Sequence, residues 1–326
     1  MANQKILPSE AAVLVAAQFN ATETIPAIAR RAGVRPHVAQ YAIRKLSEQG
    51  ILKRAVLIDQ SKLGYEQWVA YVSFSSGQST SRKRALSWVG KHPHVAWFAE
   101  LGNEYHVGVA FNAKSAVDVE RFLHDFGVAH GGGYRRKAVA RALGFTTLSK
   151  HYLLSSATKQ RREVIEVPES KERVEVDTKD LQILAALGGD PTGSRLALAK
   201  RLGLPRTTIE YRLKRLVEER VIVRELYHVS GRLLGAHLYR ALISLKGFVA
   251  DGRSRILAFA LSEPSVVSLT HCLGAWDLEV SLEVSEPRQA IDLIDRLADQ
   301  LENILSDVVL IPVFSQGGSS RFMAGE

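Results

Sequence analysis

One cysteine, Cys272, and two methionines among 326 residues leave the chain nearly without sulfur. A lone thiol excludes an internal disulfide framework, and a cysteine-based metal site needs more sulfur than one residue supplies. Long apolar runs are missing too, since no stretch approaches the roughly 18 uninterrupted apolar residues that a membrane span requires. The first twenty residues are partly apolar, but Glu10, Gln18 and Asn20 interrupt them and no small-residue cleavage site follows, which argues against a secretory signal. A cytoplasmic protein with no membrane partner is expected. Catalytic signatures are also sparse. His92, His94, His106, His124, His130 and His151 fit no zinc spacing, and Gly131-Gly132-Gly133 lacks the Lys-Ser/Thr of a phosphate loop. No nucleophile, base and orienting acid recur at interpretable spacing, so no metal, cofactor or catalytic residue is assigned.

What is present is an ordinary globular balance, 46% hydrophobic and 24% charged, at a length that suits two to four domains. The formal charge is +9, and residues 1 to 150 hold 20 Lys/Arg against 10 Asp/Glu, whereas the remainder is nearly balanced. An excess of positive charge attracts any polyanion, so it favours nucleic acid only modestly.

The strongest signal is an internal repeat. IARRAGVRPHVAQYAIRKLSEQGIL from Ile28 lies over LAKRLGLPRTTIEYRLKRLVEERVI from Leu198 without a gap, a period of 170 residues. So long a period implies duplication of a whole module rather than a solenoid. In the second copy Asp177 caps a helix with Leu181, Ile183, Leu184 and Leu187 on one face, and Gly188-Gly189-Asp190-Pro191 ends it. Ser194 opens a short helix that Gly203 stops, and Pro205 stands at the start of a third helix reaching about Glu219. In the first copy Ser9 opens the first helix, Thr24 and Pro26 the second, with Gly33 in the turn and Pro36 at the third. A short helix, a glycine turn and a longer helix form a helix-turn-helix, whose second helix enters the major groove. Ile51 to Ile58 and Val221 to Val229 are extended and suit a wing.

The period then changes. Strand-like Leu238 to Lys246, Val266 to Cys272, Asp277 to Val284 and Val308 to Phe314 alternate with helical RSRILAFAL and PRQAIDLIDRLADQL, giving the β-α-β-β-α-β order of a ferredoxin-like fold. The first copy repeats this from Gln67, with its last strand within Arg136 to Leu148. The expected class is α+β, in two tandem modules, each a winged helix-turn-helix followed by a ferredoxin-like domain. The boundaries are 1–62 and 63–152 for the first module, 153–176 for a charged linker, 177–232 and 233–316 for the second module, and 317–326 for a tail.

VDTKDLQILAAL, LALAKRLGLPRTTIEYRLKRLVEERVI, ELYHVSGRLLG and LGAWDLEVSLEV resemble, in order, the first helix, helix-turn-helix, wing and Gly-x-x-Asp segment of the Lrp/AsnC (leucine-responsive/asparagine, feast/famine) transcription regulators. The resemblance covers nearly the whole chain, in a two-module form of a family that usually has one module per chain. It implies double-stranded DNA as partner, an amino-acid effector and a homo-oligomer. Two departures stand out. Gly274 to Asp277 is matched in the first copy by Gly102-Asn103-Glu104-Tyr105, and the glycine that opens the family's wing is Gly50 in one copy but Arg220 in the other, which predicts a different local turn there.

On the third helices, helical arithmetic buries Ala39, Ile43 and Leu46, and Ile209, Leu213 and Leu216. The opposite faces nominate His37, Gln40, Tyr41, Thr207, Thr208 and Tyr211 for base edges. Arg35, Arg44, Lys45, Arg206, Arg212 and Lys214 are nominated for phosphates. Singly, each is as readily a solvated face. The resemblance places an effector at Thr270, His271, Gly274, Ala275, Trp276 and Asp277, against the simpler reading of Gly274 and Asp277 as a tight turn, which the residues favour. Duplication also predicts that the two ferredoxin-like domains pair within one chain. The rival function is a sirohaem decarboxylase-like enzyme of the same two-module architecture, for which His106, His130, Arg135 and Arg136 are the candidate residues.

Overall fold

The computed structural model describes residues 6–74, 79–131, 133–155, 161–189, 195–247 and 251–318. Helices α1 (Pro8–Ala17), α2 (Ile25–Ala32) and α3 (Pro36–Glu48) form the first helix-turn-helix, and α6 (Thr178–Gly189), α7 (Arg195–Leu202) and α8 (Arg206–Glu218) the second. Proline at the first helical position starts α1 and α3, because its missing N–H would be unpaired there in any case. The start of α1 is therefore Pro8 with Leu7 as cap, one residue ahead of the expected Ser9. Asp177 caps α6 as expected, its Oδ1 accepting the Asp180 amide at 3.0 Å. Asp190 and Pro191, read as ending α6, and Ser194, read as opening α7, lie outside the described residues.

Following α3 and α8, strands β1 (Leu52–Ile58) and β7 (Ile222–Val229) pair with each other rather than folding back within their own modules. Ala55 faces Leu226 and Val56 faces Glu225. In the repeat Ala55 corresponds to Glu225 and Val56 to Leu226, so a pseudo-two-fold axis runs through this ribbon. The turn before β7 corrects an expectation: Arg220 adopts φ +59°, the same left-handed conformation as Gly50 at +71°. Its N–H bonds Val217 O at 3.0 Å as that of Gly50 bonds Ser47 O at 2.9 Å. The turn is preserved at the cost of a strained non-glycine backbone.

Each second half is ferredoxin-like. The first uses β2 (Glu66–Phe74), α4 (Ser79–Val89), β3 (Val95–Leu101), β4 (Val107–Ala113), α5 (Ala116–His130) and β5 (Tyr134–Leu148). The second uses β8 (His237–Leu245), α9 (Gly252–Ser262), β9 (Val266–Gly274), β10 (Leu278–Val284), α10 (Pro287–Leu301) and β11 (Leu305–Gly317). Their sheets join symmetrically, β3 pairing with β11 and β9 with β5. Because β2 also pairs with β5, the eight strands close on themselves, which removes the exposed edges that a lone module would carry. The two ferredoxin-like domains thus pair within one chain. Val69, Tyr71, Leu101, Tyr105, Trp276 and Ile311 fill the space between them.

The charged segment between the modules is not a free linker. β6 (Val164–Pro168) pairs with the end of β5, and burial alternates along it, with Ile165 and Val167 buried and Val164, Glu166 and Pro168 exposed. Two apolar residues at strand spacing sufficed to dock a stretch whose overall composition is polar. Arg162 secures the same segment, donating to the carbonyls of Ala260, Leu261, Glu263 and Val266 at the end of α9. Among the described residues no helix is long and apolar enough to cross a membrane.

Candidate nucleic-acid interface

Ala39, Ala42 and Leu46 seat α3 on its module, with Ile43 only partly buried, while Ile209, Leu213 and Leu216 seat α8. The face left outward carries His37, Gln40, Tyr41 and Arg44 on α3, and Thr207, Tyr211 and Lys214 on α8, all exposed; Thr208 is half-buried. Tyr41 and Tyr211, equivalent in the repeat, are 55% and 70% exposed. Large aromatic surface left in water at the same place in two diverged copies is surface without a structural occupation. The Arg44 guanidinium lies 5.8 Å from the centre of the Tyr41 ring.

The nominated cations divide into two groups. Arg35 and Arg44 are exposed, and Arg206 and Lys214 make only surface pairs one helical turn along, with Glu210 at 2.8 Å and Glu218 at 3.7 Å. Such pairs contribute at most about 1 kcal/mol and yield readily to a polyanion. Lys45 and Arg212 are held inward instead. Lys45 Nζ meets the buried Glu10 at 2.6 Å, and this hydrogen bond raises the lysine pKa. Arg212 bonds Asp180 at 2.8 Å and Asp177 at 2.7 Å, and these bonds, Asp180 first, hold its pKa up. Arg215 reaches the other oxygen of Asp180. These cations brace each third helix against its first helix.

Glu10, Asp180 and Arg215 are the residues that reading for surface charge misses. Their signal lies in the repeat, which aligns Glu10 with Asp180 and Lys45 with Arg215, an acid and a base conserved in kind between two copies.

The six residues assigned to an effector do not converge. Gly274, at φ +142°, packs so closely that a Cβ would stand 2.6 Å from Val139 O. Asp277 Oδ2 accepts the Leu245 amide at 2.8 Å, and its own backbone bonds Ile243 O and the Cys272 N–H. Trp276 is buried edge-on to Tyr71, 5.3 Å between ring centres. Ala275 is exposed, His271 half-buried, and Thr270 lines a cavity between the wing ribbon and the closed sheet. In the first copy Gly102 makes the mirror-image contact on β11, where a Cβ would stand 2.8 Å from Pro312, and Tyr105 is buried against Tyr71. The Gly-x-x-Asp segment thus serves the structure by locking each domain's hairpin onto its partner.

Of the four residues available to a tetrapyrrole enzyme, His106 and His130 both contact the Phe74 ring, and burial, then Arg82 and Arg135, lowers the His106 pKa. His130 is fully buried among Phe74, Phe126 and Tyr134, and His106 Nδ1 accepts the Phe74 amide at 3.0 Å. Arg136 pairs with Glu104, and Arg135 is exposed.

Comparison with known proteins agrees with this geometry. Residues 176–223 match the family described as winged helix-turn-helix DNA-binding. The proline dehydrogenase transcriptional activator of Rhizobium radiobacter is 32% identical over 120 residues, 35% of this chain and 74% of that protein. An uncharacterised HTH-type transcriptional regulator of Pyrococcus horikoshii is 29% identical over 117 residues, 35% of this chain and 77% of that protein. The chain belongs to the family of helix-turn-helix transcriptional regulators, of the Lrp/AsnC-like kind that its motifs resemble. Each of these relatives is matched over little more than a third of this chain. The sirohaem decarboxylase NirDL, by contrast, is similar in structure over 97% of this chain and 93% of its own, with a TM-score of 0.61 at 13% identity. That likeness shows the two-module fold.

Proposed function

We propose that the protein is a sequence-specific, cytoplasmic DNA-binding transcription regulator in which one chain supplies both halves of what single-module relatives assemble from two. The observation that carries this reading is the pseudo-two-fold wing ribbon. It relates two helix-turn-helix units, each with an outward tyrosine and a flanking cation, as a symmetric dimer relates its two readers. Tyr41, His37, Gln40, Tyr211, Thr207 and Thr208 read bases, and Arg35, Arg44, Arg206 and Lys214 neutralise phosphates. Lys45 and Arg212 act by holding the reading helices in place. Further two-fold assembly and response to a small effector belong to the same reading, and Thr270 is the one effector nominee that faces a cavity between wing and sheet.

The test is affinity for bound genomic fragments measured across salt. Replacing Arg44 or Lys214 by Ala should lower the logarithmic salt slope by about 0.9 each and weaken all sequences alike. Replacing Tyr41 or Tyr211 should change which sequence is preferred. Affinity insensitive to salt would overturn the proposal.

The whole-chain likeness to NirDL keeps an enzyme as the second reading. It requires His106, His130, Arg135 and Arg136 to face one ligand, and none of them lines the cavity between the wing ribbon and the sheet. We propose the regulator ahead of the enzyme, and an unchanged optical spectrum on mixing with sirohaem is the expected result.

A further inference from the structure

Between the wing ribbon and the closed eight-stranded sheet lies a cavity of about 430 Å³. That is within the usual size of small-molecule sites. Val56, Leu57 and His228 enter it from the ribbon, and Trp97, Arg240, Thr270 and Glu279 from the sheet. Its lining carries four carboxylates, Asp59, Glu66, Glu169 and Glu279, against one fixed cation, Arg240. Three of the four are engaged. Asp59 accepts the Ser61 amide at 3.0 Å, and Arg141, outside the cavity, pairs with both Glu66 and Glu169.

Glu279 differs. It is 5% exposed, and its Oε1 stands 3.3 Å from Arg240, but Oε2 has no hydrogen-bond partner among the described residues. The buried Tyr71 hydroxyl beside it also has no partner at full hydrogen-bond geometry, yet it lies close enough to act on Glu279 as a neutral donor. Burial pushes the Glu279 carboxyl above its ordinary range, with Arg240 opposing. Arg240 itself is committed: it bonds Ser281 Oγ and lies 4.5 Å from the centre of the Trp97 ring. A buried acceptor without a donor is costly to maintain, and such groups mark places where a ligand completes the structure. What Oε2 can still take is a further donor, best a cationic one, and Trp97 and Phe145 offer apolar surface in the same cavity.

We propose that this cavity binds a small monovalent amine with an apolar body, its ammonium group on Glu279 and its body against Trp97 and Phe145. Because the cavity is shared between ribbon and sheet, the bound amine contacts both the strands that relate the two helix-turn-helix units and the domains that pair beneath them. The proposal goes beyond DNA binding and does not depend on it.

The experiment is calorimetric titration of the full chain with tryptamine, phenethylamine and hexylamine, beside indole-3-acetate and L-tryptophan, with DNA affinity measured separately. Saturable binding of at least one amine, at one site per chain, is expected, with indole-3-acetate silent and L-tryptophan weaker than tryptamine. Glu279→Gln should reduce amine affinity at least tenfold. Thr147→Phe, which fills the cavity from β5 and leaves the Arg240–Glu279 pair intact, should abolish it, so the test stands even if Glu279→Gln fails to fold. No binding by any of the three amines, equal binding by the acid or the zwitterion, or undiminished amine binding by Thr147→Phe overturns the proposal.

Discussion

Glu10 and Lys45 meet at 2.6 Å between α1 and α3, and 170 residues further on Asp180 and Arg215 repeat the contact between α6 and α8. Each acid also receives the amide three residues before it, Leu7 at 3.0 Å and Asp177 at 3.1 Å, but the fully buried Asp180 receives two guanidinium groups where Glu10 receives one ammonium. The acid fixes the angle of the reading helix from behind.

Removing the acid should therefore loosen each reader. Asp180→Ala leaves Arg215 without its partner and Arg212 with only the exposed Asp177, and a loss of about 3 kcal/mol is expected for breaking such a buried pair. Glu10→Ala should shift stability in the same direction by less, because Lys45 remains in contact with water. Chemical denaturation of each variant and of the double variant measures both effects. Since the two acids lie in separate modules, the losses should add.

At Arg220 the left-handed backbone costs a residue with a Cβ roughly 1 kcal/mol that glycine does not incur. Arg220→Gly should raise stability by about that amount, and Gly50→Ala, which places a Cβ at the same turn of the first copy, should lower it similarly. A melting comparison of the two variants that finds them moving together would contradict this account.

Asp277 offers a third test. Its carboxylate is engaged by the Leu245 amide, so Asp277→Ala should remove a buried hydrogen bond and cost about 1 to 2 kcal/mol, seen as a lower denaturation midpoint. In the first copy the equivalent Tyr105 is already a packing residue, and Tyr105→Asp would bury a charge against Tyr71 and destabilise more strongly.

Where the sequence was legible, local periodicity or the repeat carried the information. The strands and helices of both ferredoxin-like domains follow from apolar spacing except β5, whose bounds the sequence leaves open, and the core faces of α3 and α8 follow from helical arithmetic, save that Ala42 rather than Ile43 is the more buried. What could not be read were contacts between residues far apart. Nothing local in Val221 to Val229 says that its partner is β1, and nothing in Lys150 announces Glu283, 133 residues away, whose carboxylate also accepts the Tyr152 hydroxyl at 2.6 Å. Lys45 and Arg212 point the same lesson for the interface. A basic residue on a reading helix looks the same in sequence whether it faces phosphate or a buried acid. The polar linker docked for the same reason, through Ile165, Val167 and Arg162, whose partners lie far away in sequence.

The ribbon contains a pH dependence of its own. Burial, followed by the charge of Lys150, lowers the pKa of His228 to about 4, whereas in the unfolded chain the imidazole titrates near its ordinary 6.5. The unfolded state therefore takes up the proton first as pH falls. The contribution of neutral His228 is present in full above about pH 6.5 and declines as pH drops from there toward 4. A drop from 6.5 to about 4 corresponds to roughly 3 kcal/mol, and partial solvent access reduces it. His228→Gln, which cannot charge, should flatten the decline in stability between pH 6.5 and 4 while leaving stability near pH 7.5 changed by a smaller amount. Denaturation midpoints of both proteins across that range make the measurement, and parallel curves would place the acid sensitivity in other groups.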